Sequence, residues 1–532
     1  MSETERTTIN AQLAARVAAD PDGLYLDFMG DAYSARRIDE EAGRLAAALA
    51  GLGVRRGDRV ASLLENGPEQ VLAFFATLRL GAIAVPVNNA YKGEFLRHQL
   101  SDCEARVLIV QGDFASRVTE IVGVVPSLEA VVVVGEPDVA IDRFAFHDYE
   151  KLLAGARSSA DAVDVNPSDL ACLIYTAGTT GPSKGCMLSH NYIVCMAGQI
   201  ARAWQRTADD VVWTPLPLFH LNAISIAVVG TLSIGGSASI GRRFSVSGFW
   251  PEIKRSKATI ASMLGSLAIL IANADDHADT AGHTLRVCAA APMPPDIDRI
   301  WRERFGCATF SGGFGLTEAS LLAALPPGVE NRPGAAGIVN SIELDIALLD
   351  DDDVPVAVGE SGEICCRPRI PDAMFAGYWN RPTDSLAVFR NLWFHSGDLG
   401  RVDDDGFLYF VDRKKDALRR RGENISSFEM EKTFFGHPAI KDVAVHAAPS
   451  DMGEDEVKVT AVLQPDAELS AEDLCRWAAE RVPYFAIPRY IEFRDDLPRN
   501  PVGRVLKYEL RAEGVTASTW DREAAGVTFE RR

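Results

Sequence analysis

The sequence predicts an α/β fold built on a parallel sheet, in a chain of at least two domains. Three observations carry this. The length of 532 residues exceeds what one hydrophobic core fills. The first part alternates helical and strand periodicity, the order in which strand–helix–strand units build parallel sheets. Strand runs such as "ARVLIV" (105–110) and "LEAVVVVG" (128–135) are β-branched without polar alternation, as in strands buried on both faces.

The elements follow in order. "RIDEEAGRLAAALAGLG" (37–53) has apolar residues at helical spacing and ends in Gly, and "RVASLLEN" (59–66) is a short strand running into a turn. "PEQVLAFFATLRLGAIAVPV" (68–87) opens on Pro, continues as a helix and closes on a strand. "DLACLIYT" (169–176) is a strand that feeds a Gly- and Thr-rich stretch, and "ELDIALLD" and "GEICCRP" are shorter strands of a less regular region. After "GFLYFVDRKKD" the pattern becomes a compact mixture: helices in "SSFEMEKTFFG" and "SAEDLCRWAAERV", strands in "DVAVHAAP" and "VKVTAVLQ". The expected domains are 1–412 and 413–532, with a hinge near 412–416. There is no internal repeat and no low-complexity tract.

Hydrophobic content of 47% and charged content of 24% are ordinary for globular chains. A net charge of -20 speaks against a nucleic-acid partner, which needs a clustered basic surface. The one basic cluster, "DRKKDALRRRGEN" (412–424), reads equally as a solvated hinge and as a ligand contact. The opening "MSETERTTINAQLAARVAAD" has no apolar signal core, and no window approaches the roughly 18 apolar residues of a membrane span. Nine scattered cysteines without a C-x-x-C pair read as reduced thiols, hence a cytoplasmic protein without a zinc site or a disulfide framework.

The chemistry concentrates in "YTAGTTGPSKG" (175–185). Glycines let backbone N–H groups approach an anion, threonine hydroxyls donate, and a lysine neutralises charge, which suits phosphate. The stretch is not a Walker A loop, and by composition alone a surface loop is the commoner reading.

Read with four further stretches, it resembles the Y-T-S-G-T-T-G-x-P-K-G signature of the adenylate-forming enzymes: acyl- and aryl-CoA synthetases, adenylation domains and beetle luciferases. "FGLTEAS" (314–320) resembles their aromatic-G-x-T-E and "WFHSGDLG" (393–400) their S/T-G-D. "VDRKKDALRRRGENISSFEME" resembles their hinge and CoA-side segment, and "LPRNPVGRVLKYELR" (497–511) their C-terminal catalytic loop. The matches keep family order over nearly the whole chain. The hinge and CoA-side stretches look most like carnitine/crotonobetaine-CoA ligase and related bacterial ligases.

The resemblance implies a large N-terminal domain of two related, mainly parallel sheets with helices and a small β-barrel, and a small mobile C-terminal α+β domain. It implies an AMP-forming acyl-CoA synthetase using ATP, Mg2+ and coenzyme A on a small-molecule carboxylic acid of unspecified class, with homodimerisation left open. Two alternatives stand beside it: an adenylation enzyme loading a carrier protein, and a nucleotide-binding homologue with weakened catalysis. By motif matching, Thr176, Ala177, Gly178, Thr179, Thr180, Gly181 and Lys184 would hold the β- and γ-phosphates. Thr317 would meet the α-phosphate, and Glu318, with Thr179, would ligate Mg2+. Asp398 would accept from the ribose hydroxyls, with Arg413 close by and Lys415 at the hinge. Gly422 and Glu429 would lie along the pantetheine tunnel and His220 at the acyl site. Ala291, Pro292, Gly313, Phe314 and Gly315 would line the acyl and adenine sites.

Three departures from the family pattern stand out. Ala177 replaces a Ser, removing one hydroxyl donor worth about 0.5–1.5 kcal/mol. Phe314 replaces the commoner Tyr. Gly503-Arg504 replaces Gly-Lys, so that the charge reaching the carboxylate and α-phosphate comes from Arg504 or from Lys507; a guanidinium fork bonds a carboxylate differently from an ammonium.

Overall fold

The computed structural model describes residues 6–140, 146–156, 159–176, 183–274, 280–291, 293–310, 312–325, 329–330, 332–413, 418–421, 423–425, 427–448, 455–499, 505 and 507–529. They group into two compact units. The first comprises Met1–Asn89, Leu100–Ile174 and Gly185–Asp412; the second comprises Ala90–Gln99, Tyr175–Lys184 and Arg413–Arg532.

In the order they are paired, one seven-stranded sheet runs Phe146–Asp148, Ala130–Val134, Val107–Gln111, Arg59–Leu63, Ile83–Pro86, Leu170–Thr176 and Lys184–Ser189. Its first six strands are parallel. Every residue of Ala130–Val134 is buried, which is why that run carries no polar alternation. The second seven-stranded sheet runs Ala308–Phe310, Val287–Ala291, Ile260–Leu264, Val211–Thr214, Ser237–Ile240, Leu24–Phe28 and Asp31–Ser34. It is parallel except for the terminal hairpin. The intervening helices start where the sequence supplies caps. Ser34 accepts from Arg37 N–H ahead of Ala35–Gly51, Ser189 accepts from Tyr192 N–H ahead of His190–Ala203, and Pro68 opens Pro68–Arg79.

The first unit also carries an eight-stranded sheet whose pairings, among the described residues, are antiparallel. "ELDIALLD" and "GEICCRP" pair along their whole length here, Leu344 opposite Pro368 through Leu349 opposite Glu363. Phe310, at the end of a parallel strand, packs with Phe407 and Tyr409 of this sheet.

The second unit has a four-stranded sheet of Ile440–Ala448, Glu456–Leu463, Tyr490–Phe493 and Trp520–Asp521, covered by Ser427–Phe435 and Ala471–Ala479. Ala90 and Phe95 belong to the same apolar cluster as Met430, Phe434 and Leu474. The basic cluster is neither a solvated turn nor a ligand surface at Arg420. That side chain is buried and donates to the carbonyls of Phe485 (3.0 Å) and Ile487 (2.8 Å). Burial, outweighing the pull of Glu456, brings its pKa down to about 10. Among the described residues no helix is long and apolar enough to cross a membrane, and all nine cysteines are buried and outside any disulfide.

Candidate active site

The Gly- and Thr-rich stretch is bounded by Thr176, the last residue of its strand, and Lys184, the first of the next; both are half-buried. Ala177, Gly178, Thr179, Thr180 and Gly181 lie outside the described residues, as do Pro292, Lys415, Gly422 and Arg504. Arg413 ends the strand Phe407–Arg413. Ser183, just ahead of Lys184, donates its amide to Glu429 Oε1 at 2.5 Å, and its carbonyl lies 2.9 Å from His98 Nε2. Burial pushes the Glu429 carboxyl above the ordinary carboxylate range, against the Ser183 hydrogen bonds that lower it.

Thr317 and Glu318 occupy the turn of a hairpin, Gly313–Leu316 with Ser320–Ala324. One buried hydroxyl bridges the two sides of this turn. Tyr192 Oη donates to the Thr317 carbonyl (2.8 Å) and accepts the Ser320 amide (2.6 Å), with Ser320 in the left-handed region at φ 58°. Gly315 is required by close approach, since a Cβ there would lie 2.4 Å from the Ser320 carbonyl oxygen. Phe314 packs its ring 6.1 Å from that of Phe410, so the aromatic wall persists without the phenol. Glu318 is oriented at both ends: Phe375 N–H donates to its carbonyl (2.9 Å) and Tyr378 Oη donates to its carboxylate (3.0 Å). Burial and the Glu318 charge keep the Tyr378 phenol protonated, so it can only donate to that carboxylate. A carboxylate oriented in this way is the hard oxygen donor that Mg2+ takes alongside phosphate oxygens.

Asp398 is buried in the long strand Trp393–Val402 of the same sheet. Its amide is held by Ser396 Oγ at 3.1 Å, and the preceding Gly397, at φ 77°, donates its amide to Glu363 Oε1 at 3.0 Å. Glu363, Cys365 and His395 bring ligand-type atoms within 4.8 Å of one another. A cation is already present there: Arg390 Nη2 lies 3.3 Å from His395 Nδ1 and 2.6 Å from Asp353. The cluster is therefore an ion-pair network that supports the Asp398 strand.

The carboxyl ends of adjacent parallel strands present Leu264, Ala291 and Phe310, the edge at which open parallel sheets place their ligands. His220 follows the neighbouring strand Val211–Thr214, its ring tilted against that of Phe219 at 4.7 Å. Lys507 opens the helix Lys507–Glu513, where its Nζ contacts Glu431 (2.6 Å) and Ser427 Oγ (2.8 Å).

Sequence reasoning missed Tyr192, Tyr378, Glu363 and His98. Each supports a named site residue or the edge of the Gly- and Thr-rich stretch from a segment outside the five signatures. Tyr192 sits in an apolar helix, where a tyrosine reads as core.

A hairpin presenting Thr-Glu, a buried Asp on a supported strand and a Gly/Thr-rich stretch ending at Lys184 match the order of the signatures. The sequence profile of the AMP-binding enzymes covers residues 13–379, and that of the AMP-binding enzyme C-terminal domain covers 429–504. The chain belongs to the AMP-binding enzyme family. This is the adenylate-forming, acyl-CoA synthetase superfamily that the motifs resemble. The family member named long-chain-fatty-acid–CoA ligase from Escherichia coli O157:H7 is 31% identical over 522 residues, 91% of each chain. Crotonobetaine/carnitine–CoA ligase from Salmonella arizonae is 29% identical, over 90% of this chain and 93% of its own. Among solved structures, a double mutant of o-succinylbenzoate CoA synthetase from Bacillus subtilis, bound with its product analogue OSB-NCoA, superposes with a TM-score of 0.80 at 25% identity. That match covers 94% of this chain and 98% of the other.

Proposed function

We propose that this AMP-binding enzyme is an acyl-CoA synthetase acting in two half-reactions. In the first, a carboxylate oxygen bonds to the α-phosphorus of ATP as the bond to the bridging oxygen breaks, and pyrophosphate leaves. In the second, the sulfur of coenzyme A attacks the acyl carbonyl and AMP departs. Positioning and charge stabilisation carry such chemistry.

Lys184, with Thr176 and residues 177–181, takes the β- and γ-phosphates; Thr317 meets the α-phosphate; Asp398 and Arg413 hold the ribose. Glu318 would hold Mg2+, with Thr179, and the ion when bound would draw charge from the phosphate oxygens. Arg504 supplies the charge at the reacting carboxylate, while Lys507, paired with Glu431, anchors its helix. Lys415 would serve the hinge, and Gly422 the binding of coenzyme A. Leu264, Ala291 and Phe310 offer apolar surface, which suits an adenine ring and an apolar acyl group. His220 lies at that end.

The observation that carries this reading is the Thr317–Glu318 turn, fixed by Tyr192 and Tyr378, in a chain matched by the family along both of its segments. The test is to supply ATP, Mg2+, coenzyme A and a panel of acids, and to follow AMP and thioester together. Equal amounts of both with one acid class support the reading. AMP formed only with a phosphopantetheinyl carrier protein assigns the carrier-loading activity instead, and no AMP with either acceptor defeats both.

A further inference from the structure

Ser183 is gripped on both of its backbone groups. Its amide donates to Glu429 Oε1 at 2.5 Å, its carbonyl meets His98 Nε2 at 2.9 Å, and the residue is 3% exposed. The gripping side chains stand on two helices, Gly93–Asp102 and Ser427–Phe435. Those helices are joined further by Lys432 to Glu94 at 3.6 Å and by the packing of Phe95 with Phe434 and Met430. Lys92 Nζ also reaches the Ala479 carbonyl at 2.5 Å. The Ser183–Glu429 bond is thus one contact of a packed body.

Its position gives it a chemical consequence. Ser183 adjoins Lys184, and the amides of such a Gly-rich stretch are donors for polyphosphate oxygens. One N–H cannot serve both a carboxylate and a phosphate oxygen at full strength, and two anions at that spacing repel.

We propose that Glu429 is a positioning residue whose grip on the Ser183 amide and a polyphosphate bound beside Lys184 exclude one another. The inference rests on reading Tyr175–Gly185 as the polyphosphate-binding stretch. The Glu429–Ser183 bond then belongs to the interval after pyrophosphate has left and before the thiol attacks. Pyrophosphate inhibits thioester formation by displacing Glu429.

The test is calorimetric titration of pyrophosphate into the full-length protein, its Glu429→Gln variant and its Glu94→Gln variant. Glu94→Gln removes a carboxylate from the helix that bears His98 without touching Ser183. Glu429→Gln is expected to bind pyrophosphate about five- to tenfold more tightly, the worth of one ordinary net hydrogen bond, because the Gln carbonyl still competes for the amide but more weakly than a carboxylate. Glu94→Gln stays within about twofold of wild type, as a remote screened charge does. Glu429→Asp, which keeps the charge but draws it back, shifts affinity in the same direction as Glu429→Gln. With a synthetic acyl-adenylate and coenzyme A, Glu429→Gln lowers thioester formation relative to ATP–pyrophosphate exchange and strengthens inhibition by pyrophosphate. Equal affinity of wild type and Glu429→Gln overturns the proposal, as does an equal gain in Glu94→Gln. Failure of the wild type to bind pyrophosphate defeats the underlying reading of the loop, and the grip with it.

Discussion

The Tyr192 hydroxyl lies 2.8 Å from the Thr317 carbonyl and 2.6 Å from the Ser320 amide, so one buried side chain closes the turn that presents Thr317 and Glu318. Tyr192→Phe leaves both backbone groups without that partner. The expected cost is about 1–3 kcal/mol, the penalty for a buried polar group left unmade. Thermal melts check this, and the KM for ATP is expected to rise with it. A variant with unchanged melting and KM contradicts the role given to Tyr192.

Gly315 meets the Ser320 carbonyl so closely that a methyl group has no room. Gly315→Ala must open the hairpin, at about 1–3 kcal/mol for an overpacked site. A loss of adenylation larger than the loss of stability is expected, measured as exchange rate against melting temperature. Wild-type behaviour in both shows that the hairpin yields without consequence.

Arg504 and Lys507 are expected to separate by function. Lys507 is tied to Glu431 and Ser427, so Lys507→Ala is expected to destabilise by about 1–3 kcal/mol, as for hydrogen bonds to charged groups. Arg504→Ala is expected to suppress ATP–pyrophosphate exchange about 100-fold or more, the scale on which a charge-stabilising donor acts. Thioester formation from a supplied acyl-adenylate persists in Arg504→Ala and in the double variant. Exchange that survives the double change removes both residues from the first half-reaction.

Stability is expected to fall on the acid side in two steps. Burial, joined by the nearby Lys458, Arg511 and Lys507 charges, pushes the His446 pKa down to about 4. A buried neutral imidazole stabilises the fold fully above its unfolded value of about 6.5, and that stability is lost as pH falls through about 4. For Glu492, burial is outweighed by hydrogen bonds from Lys458 and Arg494, and its pKa drops to about 2. Its contribution is present above about 4.3 and is lost toward pH 2. Melting temperatures across this range check the prediction: His446→Gln should flatten the first step and Glu492→Gln the second.

Much of the fold was legible because buried parallel strands and capped helices write their periods into the chain. "LEAVVVVG" became Ala130–Val134, buried throughout, and "PEQVLAFFATLRLGAIAVPV" became a Pro-started helix and a strand. The candidate site was legible where short motifs keep their spacing, as at Thr317–Glu318 and Asp398. What supports those motifs was not. Tyr192, Tyr378 and Glu363 act from distant segments, through one or two hydrogen bonds each that leave no periodic signal. Arg420 shows the converse: a basic run reads as a solvated hinge or a ligand contact, yet two carbonyls at the end of another element make burial tolerable.

The most direct test of the central claim is carboxylate-dependent ATP–pyrophosphate exchange with Mg2+, over acids from short aliphatic through carnitine-like to aryl and polycyclic. The account predicts exchange with one acid class, abolished by Glu318→Ala and by Asp398→Ala. Measurable ATP binding with no exchange for any acid contradicts it, and assigns the chain to nucleotide binding without adenylation.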